Sequence, residues 1–398
     1  MTKFNSLLIL TVLANMGMGI IMPVLPVYFK QYGVGALELS GPFVMLVVGR
    51  MVSRVFAPSL IARVGHRRAV MSCFAVYAAT FAAYLGSHSL YYFSGLRFLE
   101  GIVEGLLAVA LNDLAIAYTQ GLDSTQRTKL MGRFGASFGL GFLLGPLLGS
   151  GIAFLFGLEA IFIAGAVLGT AAIGLVAWMV SDAPVAPKPA QQVLGGLGGT
   201  GLLLGLYSPQ CLRRAVFFSL MILLPLHVTD QLGLGVEGAG LFFAASAVLT
   251  TLLMPQAGLW AKWVGGLRAV WSGLLVMAVT IVIMGLTRQP LVFWALFILE
   301  TIAFALMLPP AMTAFSEAVD NQATRTRILG NMAFATEVIS LPLAVILPWS
   351  YSRSPAVAWA VVALLCLVAL VLFVFSGKAL ARRAGAADDP GTPPLKAS

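Results

Sequence analysis

Residues 97 to 105 read RFLEGIVEG and place Arg97, Glu100 and Glu104 inside a stretch that is otherwise apolar. At about 100° of helical turn per residue, Glu100 lies about 60° from Arg97 and Glu104 about 20° from it. The three share one stripe, which Asn112 extends by about 60° on the other side. A carboxylate on such a stripe can take up and release a proton, and a nearby guanidinium sets how readily it does so. Two readings stay open: proton carriage by Glu100 or Glu104, and an ion pair with Arg97 that only holds structure.

Other charges fall in apolar surroundings too. Arg50 and Arg54 share a helix face at four-residue spacing, placed either to neutralise Glu100 and Glu104 or to touch an anionic substrate. Glu300 and Glu337 have no basic residue placed to pair with them in the membrane segments of their own half. Unpaired acids at such positions point to a protonatable site or to contact with a cationic or hydroxyl-bearing ligand. Asn15 is a further candidate for the substrate cavity. Asp113 is read as a loop anchor, and His227 and Asp230 as interfacial.

The elements that must carry these residues are membrane helices. The chain of 398 residues is 60% hydrophobic and 10% charged, with mean hydropathy +0.96. That leaves too little polar surface for a soluble globule. Apolar runs able to cross about 30 Å of hydrocarbon occur at 5–29, 39–60, 69–87, 91–117, 130–156, 160–180, 212–229, 239–260, 269–287, 291–315, 328–349 and 355–376. The expected fold is all-α and integral to the membrane, with 12 transmembrane helices in two six-helix bundles. The first run is too long and too lightly charged for a cleaved signal peptide and is expected to remain as a helix. The third, sixth, ninth and twelfth runs hold no Asp, Glu, Lys or Arg, as lipid-facing supports would.

Orientation follows from the basic residues, which favour cytoplasmic loops. With both termini cytoplasmic, eighteen of the 24 Lys and Arg fall inside and three, Lys30, Arg288 and Arg353, outside. The net charge of +9 is thus explained by topology, and its dispersal argues against nucleic-acid binding. Cys73, Cys211 and Cys366 lack metal or redox spacing and are read as inert packing.

The halves are related. RVGHRRAVMS from Arg63 recurs as WVGGLRAVWS from Trp263, and Gly33-Val34-Gly35 recurs as Gly233-Leu234-Gly235, both at an offset of 200. Leu99-Glu100 and Leu299-Glu300 repeat at the same interval. The expected domains are an N-terminal bundle at 1–181, a cytoplasmic linker at 182–210, a C-terminal bundle at 211–378 and a disordered tail at 379–398. The GLGGTG stretch within the linker has the spacing of a dinucleotide loop but neither the preceding strand nor the following acid. Chains built from two such membrane halves are typically secondary transporters.

Three motifs make the sequence resemble the Major Facilitator Superfamily, in its twelve-helix drug:proton antiporter branch. ARVGHRR at 62–68 resembles the family's cytoplasmic gating loop, with Ala62 at the usual Asp position and Pro58 at an upstream Gly. Arg97 with Gly101 and Gly105 resembles the helix 4 motif, where Gln is more usual at the position of Glu100. Gly132, Gly141, Gly145, Pro146 and Gly149 resemble the antiporter signature of helix 5, with Ser150 in place of its last Gly. The spacing itself predicts a tightly packed, bent helix.

The resemblance implies proton-coupled efflux of a small organic molecule, a drug or metabolite, by alternating access from a monomer in the inner membrane. Protons would be handled by Arg97, Glu100 and Glu104. Substrate would meet Asn15, Arg50, Arg54, Glu300 and Glu337. Arg63, Gly65, Arg67 and Arg68 would form the gate with Asp113. Rival readings are export of an anionic metabolite such as a carboxylate siderophore, held by Arg50, Arg54 and Arg97, and a membrane sensor or scaffold that moves nothing. No cofactor or metal is expected, and no nucleophile and base with recognisable spacing suggests an enzyme.

Overall fold

The computed structural model describes residues 2–35, 37–120, 122, 124–179, 200–317 and 322–387. Fourteen α-helices and no strand occur among them. The first half comprises α1 (Thr2–Ile20), α2 (Leu25–Gln31), α3 (Ser40–Val64), α4 (His66–Ala83), α5 (Leu90–Tyr118), α6 (Ser124–Phe156) and α7 (Ala160–Met179). The second comprises α8 (Thr200–Asp230), α9 (Val236–Leu253), α10 (Ala257–Val264), α11 (Gly266–Leu286), α12 (Pro290–Glu317), α13 (Gln322–Arg353) and α14 (Pro355–Ala387).

Eleven spans among the described residues are long and apolar enough to cross a membrane. Helix α13 covers the remaining expected run, at 328–349. Two expected helices are divided where proline removes a backbone donor. Turn residues separate α1 from α2 around Pro23, and a 3₁₀ turn containing Pro255 separates α9 from α10.

Boundaries differ from the sequence reading at two places. Residues 182–199 of the expected linker lie outside the described residues, but 200–210 are already helical, as the start of α8. Pro209 does not end that helix, because its first turns lie against α14: a Cβ on Gly205 would sit 2.6 Å from the Leu372 carbonyl oxygen. Ser208 also donates to Ala369 O at 3.0 Å. Likewise α14 runs to Ala387, into the expected tail, of which 388–398 lie outside the described residues.

The repeat is packed the same way twice. Helix α1 pairs with α6 as α8 pairs with α13, α3 with α5 as α9 with α12, and α4 with α7 as α11 with α14. The turns explain why the repeated glycines persist: φ is +74° at Gly33 and +65° at Gly233, +83° at Gly65 and +95° at Gly265. A side chain is strained in that left-handed region, so the same turn requires the same residue in each half. Helices α7, α11 and α14 carry apolar side chains outward, among them Ile163, Val167, Leu275, Val279, Ile283, Leu364 and Val368. Such a surface suits lipid. The halves meet along α6 with α9 and α3 with α13.

Candidate functional site

Helices α3 and α5 cross with their backbones touching, which places the charges of one beside those of the other. A Cβ on Gly101 would lie 3.0 Å from the Arg50 nitrogen, and one on Gly105 3.1 Å from the Arg50 oxygen. Side chains leaving this crossing can meet only within a turn of it. Arg50 Nη1 accordingly donates to Glu104 Oε2 at 3.3 Å.

Arg50 also faces the other half. Its Nε lies 3.3 Å from Glu337 Oε2 on α13, and its guanidinium stands 5.9 Å from the centroid of the Phe218 ring on α8. Glu337 Oε1 accepts from Arg54 Nη2 and from Arg214 Nη1, each at 3.0 Å. The Glu337 side chain is only 4% exposed, whereas that of Arg214 is 45% exposed. Three guanidiniums and two carboxylates thus form one cluster spanning both halves.

This corrects two expectations. Glu337 is not an unpaired acid, because two of its partners come from the first half. The third is Arg214 of α8. Arg54 does not neutralise the acids of α5; it turns to α13 instead.

Arg97 and Glu100 form a separate pair. Arg97 Nη1 donates to Glu100 Oε2 at 2.7 Å, and Tyr84 Oη donates to the same oxygen at 2.7 Å. Arg97 is 1% exposed and Glu100 and Tyr84 are fully buried, with Phe81, Phe93 and Phe162 packed on the Tyr84 ring. Arg97 is therefore sealed from any ligand between the halves. Glu104, a turn further along α5, lines a small cavity within the first half together with Tyr77.

The other expected residues are dispersed. Glu300 is buried, its Oε2 accepts from Thr301 at 3.4 Å, and no ion pair reaches it among the described residues. Asn15 is also buried, and its amide donates to Thr11 O at 2.7 Å on its own helix. It lies against α6, where a Cβ on Gly141 would meet Asn15 Cβ at 2.6 Å. Asn15 therefore belongs to a helix seam and not to a cavity between the halves. Arg63 and Arg68 are exposed around Gly65. Arg67 donates to Ala177 O at the end of α7, tying the turn to its own half. Asp113 is partly buried in the last two turns of α5.

Along α6, glycines admit the backbone of α1. A Cβ on Gly141 would lie 2.7 Å from Val12 O and one on Gly145 2.6 Å from Met16 O, and Gly149 is closer still to Ile20 O. Gly132 stands clear, with nothing within 4 Å of such an atom. Ser150 and the Pro146 carbonyl face the opposite way, against Gly240 of α9, while the Pro146 ring lies against Gly19 of α1. At one end of the molecule, Lys30 of α2 pairs with Asp230 of α8 across the halves. Nearby His227 is buried, accepting at Nδ1 from Trp359 Nε1 at 3.1 Å and stacking on Phe293. It is a packed residue of the second half, not an interfacial one.

A family model described as Major Facilitator Superfamily matches residues 7–324, most of the chain. This chain belongs to the Major Facilitator Superfamily. It is therefore a multi-pass membrane transporter, and its relatives place it with the drug:proton antiporter-like branch. It is 25% identical to the class D tetracycline resistance protein of Salmonella ordonez over 367 residues, 87% of this chain and 89% of that one. It is 31% identical to the class B tetracycline resistance protein of Escherichia coli over 146 residues, a match spanning 36% of this chain and 35% of that protein. Two solved superfamily structures resemble it in fold at 14% identity. A bacterial homologue of the human lysosomal transporter Spinster, inward-facing and occupied, has a TM-score of 0.73, covering 94% of this chain and 96% of its own. The nucleoside transporter NupG has a TM-score of 0.66, covering 95% and 100%.

Proposed function

We propose that this superfamily member exports a small organic molecule from the cytoplasm across the inner membrane in exchange for protons, as a monomer with both termini cytoplasmic. One observation carries the mechanism: Arg50 lies 3.3 Å from Glu104 in the first half and 3.3 Å from Glu337 in the second. A charged Glu104 holds Arg50 and weakens its hold on Glu337. A proton on Glu104 releases Arg50 to Glu337 and tightens the joint between α3 and α13. Substrate entering between the halves must loosen that joint, returning Arg50 to Glu104 and favouring loss of the proton. Proton and substrate then oppose one another, as antiport requires.

Glu104, rather than Glu100, is the proton carrier in this scheme, because Glu100 is sealed against Arg97 and Tyr84. Arg63, Arg67 and Arg68 stay assigned to the cytoplasmic gate with Asp113. The energy is sufficient in scale, since one charge crossing 100 mV releases about 2.3 kcal/mol. Tetracycline, the compound in the relatives' names, is the probe to use. In everted vesicles its addition should release protons with the wild type and not with Glu104→Gln. Undiminished release from the variant removes Glu104 from the mechanism.

A second reading, export of an anionic metabolite such as a carboxylate siderophore, is favoured by the excess of three guanidiniums over two carboxylates in the cluster. Competition between benzoate and benzylammonium for transport separates the two. Inhibition by benzoate alone supports the anion, and inhibition by benzylammonium alone excludes it.

A further inference from the structure

The cavity beside Glu104 lies among four helices of the first half. Leu13, Ala14 and Met18 of α1, Phe74 and Tyr77 of α4, Val103 and Leu107 of α5, and Leu168 and Gly169 of α7 complete its wall around Glu104. Among the described residues its only polar side chains are those of Glu104 and Tyr77, and it has room for about one water molecule.

Tyr77 is 4% exposed, and its hydroxyl has no hydrogen-bond partner among the described residues. A buried hydroxyl without a partner destabilises a fold, so phenylalanine would serve better here if packing were the only demand. The chain is built around this hydroxyl all the same. A Cβ at position 17 would come within 2.7 Å of the Tyr77 oxygen, and glycine stands there.

We propose that Tyr77 and Glu104 hold a water molecule between them, and that Tyr77 is a positioning residue for the proton carried by Glu104. The water donates one hydrogen to the Glu104 carboxylate and accepts from the Tyr77 hydroxyl. When Glu104 is protonated, its O–H donates to the water, which turns a hydrogen toward the Tyr77 oxygen. Arg50 approaches the same carboxylate from α3, so the acid lies between a cation and a water. Arg97 and Glu100 on its own helix, and Glu337 on α13, complete the charged groups around it. The inference rests on Glu104 as the proton carrier.

Infrared difference spectra of the full chain in lipid nanodiscs, acid minus alkaline, test it without any substrate. The wild type should show a carboxylic C=O band that Glu104→Gln removes, and a water O–H band that shifts in ¹⁸O-labelled water. In Tyr77→Phe the C=O band should persist at a different frequency and the water band should be lost. An unchanged C=O band and water band in Tyr77→Phe overturns the proposal while leaving Glu104 as carrier. Spectra unchanged by Glu104→Gln overturn both. A destabilised Tyr77→Phe with an unshifted C=O band shows that the hydroxyl serves packing alone, and also overturns it.

Discussion

Lys30 and Asp230 pair across the two halves although they occupy the same place in the repeat, 200 residues apart. Positions related by the internal two-fold come together only close to its axis. Once there, identical charges would repel, so divergence to opposite signs turns an unfavourable contact into a tie. The pair is exposed, at 51% and 21% of its side chains, and such pairs contribute at most about 1 kcal/mol. Lys30→Asp is expected to change transport only a few-fold, with Lys30→Asp/Asp230→Lys restoring it. A disulfide between Lys30→Cys and Asp230→Cys, in a background without the three native cysteines, should arrest transport until reduced. Full transport by the oxidised protein would show that this end need not open.

Glu337 balances three guanidiniums, so its removal should be the most damaging change in the cluster. Breaking a buried pair leaves uncompensated charge and costs about 3–5 kcal/mol. Glu337→Gln should lower the melting temperature of the purified protein more than Arg54→Gln or Arg214→Gln does. Glu337→Gln/Arg54→Gln should be more stable than Glu337→Gln alone, because one stranded cation is removed with the anion. A double variant that simply sums the two losses would mean that Arg54 and Glu337 do not interact.

Some of this site could be read from the chain and some could not, for a physical reason. Arg97 and Glu100 are three residues apart on one helix, so helical geometry alone brings them together. Arg54 and Glu337 are separated by 283 positions, and only the packing of α3 on α13 joins them. No local spacing encodes that contact. Arg214 falls within the expected run at 212–229, but it is 123 positions from Glu337, and again only packing, of α8 on α13, joins them. Tyr84 carries no charge, so nothing in its sequence context marks it as the second donor to Glu100. The fold was more legible than the site because apolar length and the two-fold repeat are properties of whole segments.

The glycines of α6 make a contrast that substitution can read directly. Gly145→Leu should prevent α1 and α6 from meeting, because even a Cβ would lie 2.6 Å from Met16 O. Gly132→Ala should be accepted with normal expression and transport, since nothing stands within 4 Å. Membrane helices that pack backbone to backbone depend on small residues at the contact. If Gly132→Ala proved as damaging as Gly145→Leu, close approach to α1 would not be what the series provides.

The Arg97–Glu100 pair separates stability from coupling. Both groups are buried, and Tyr84 supplies a second donor to the same carboxylate oxygen. Tyr84→Phe should cost about 1–3 kcal/mol, the penalty for leaving a buried polar group short of a partner. Arg97→Gln should cost more, because it strands a carboxylate in the interior, and Arg97→Gln/Glu100→Gln should recover much of that loss. Thermal denaturation of the purified variants measures each step. If the pair is structural, the double variant that folds should still release protons on addition of substrate, because Arg50 and Glu104 are untouched. A stable double variant that transports without proton release would instead place Glu100 in the proton path and return the Arg97 stripe to the centre of the mechanism.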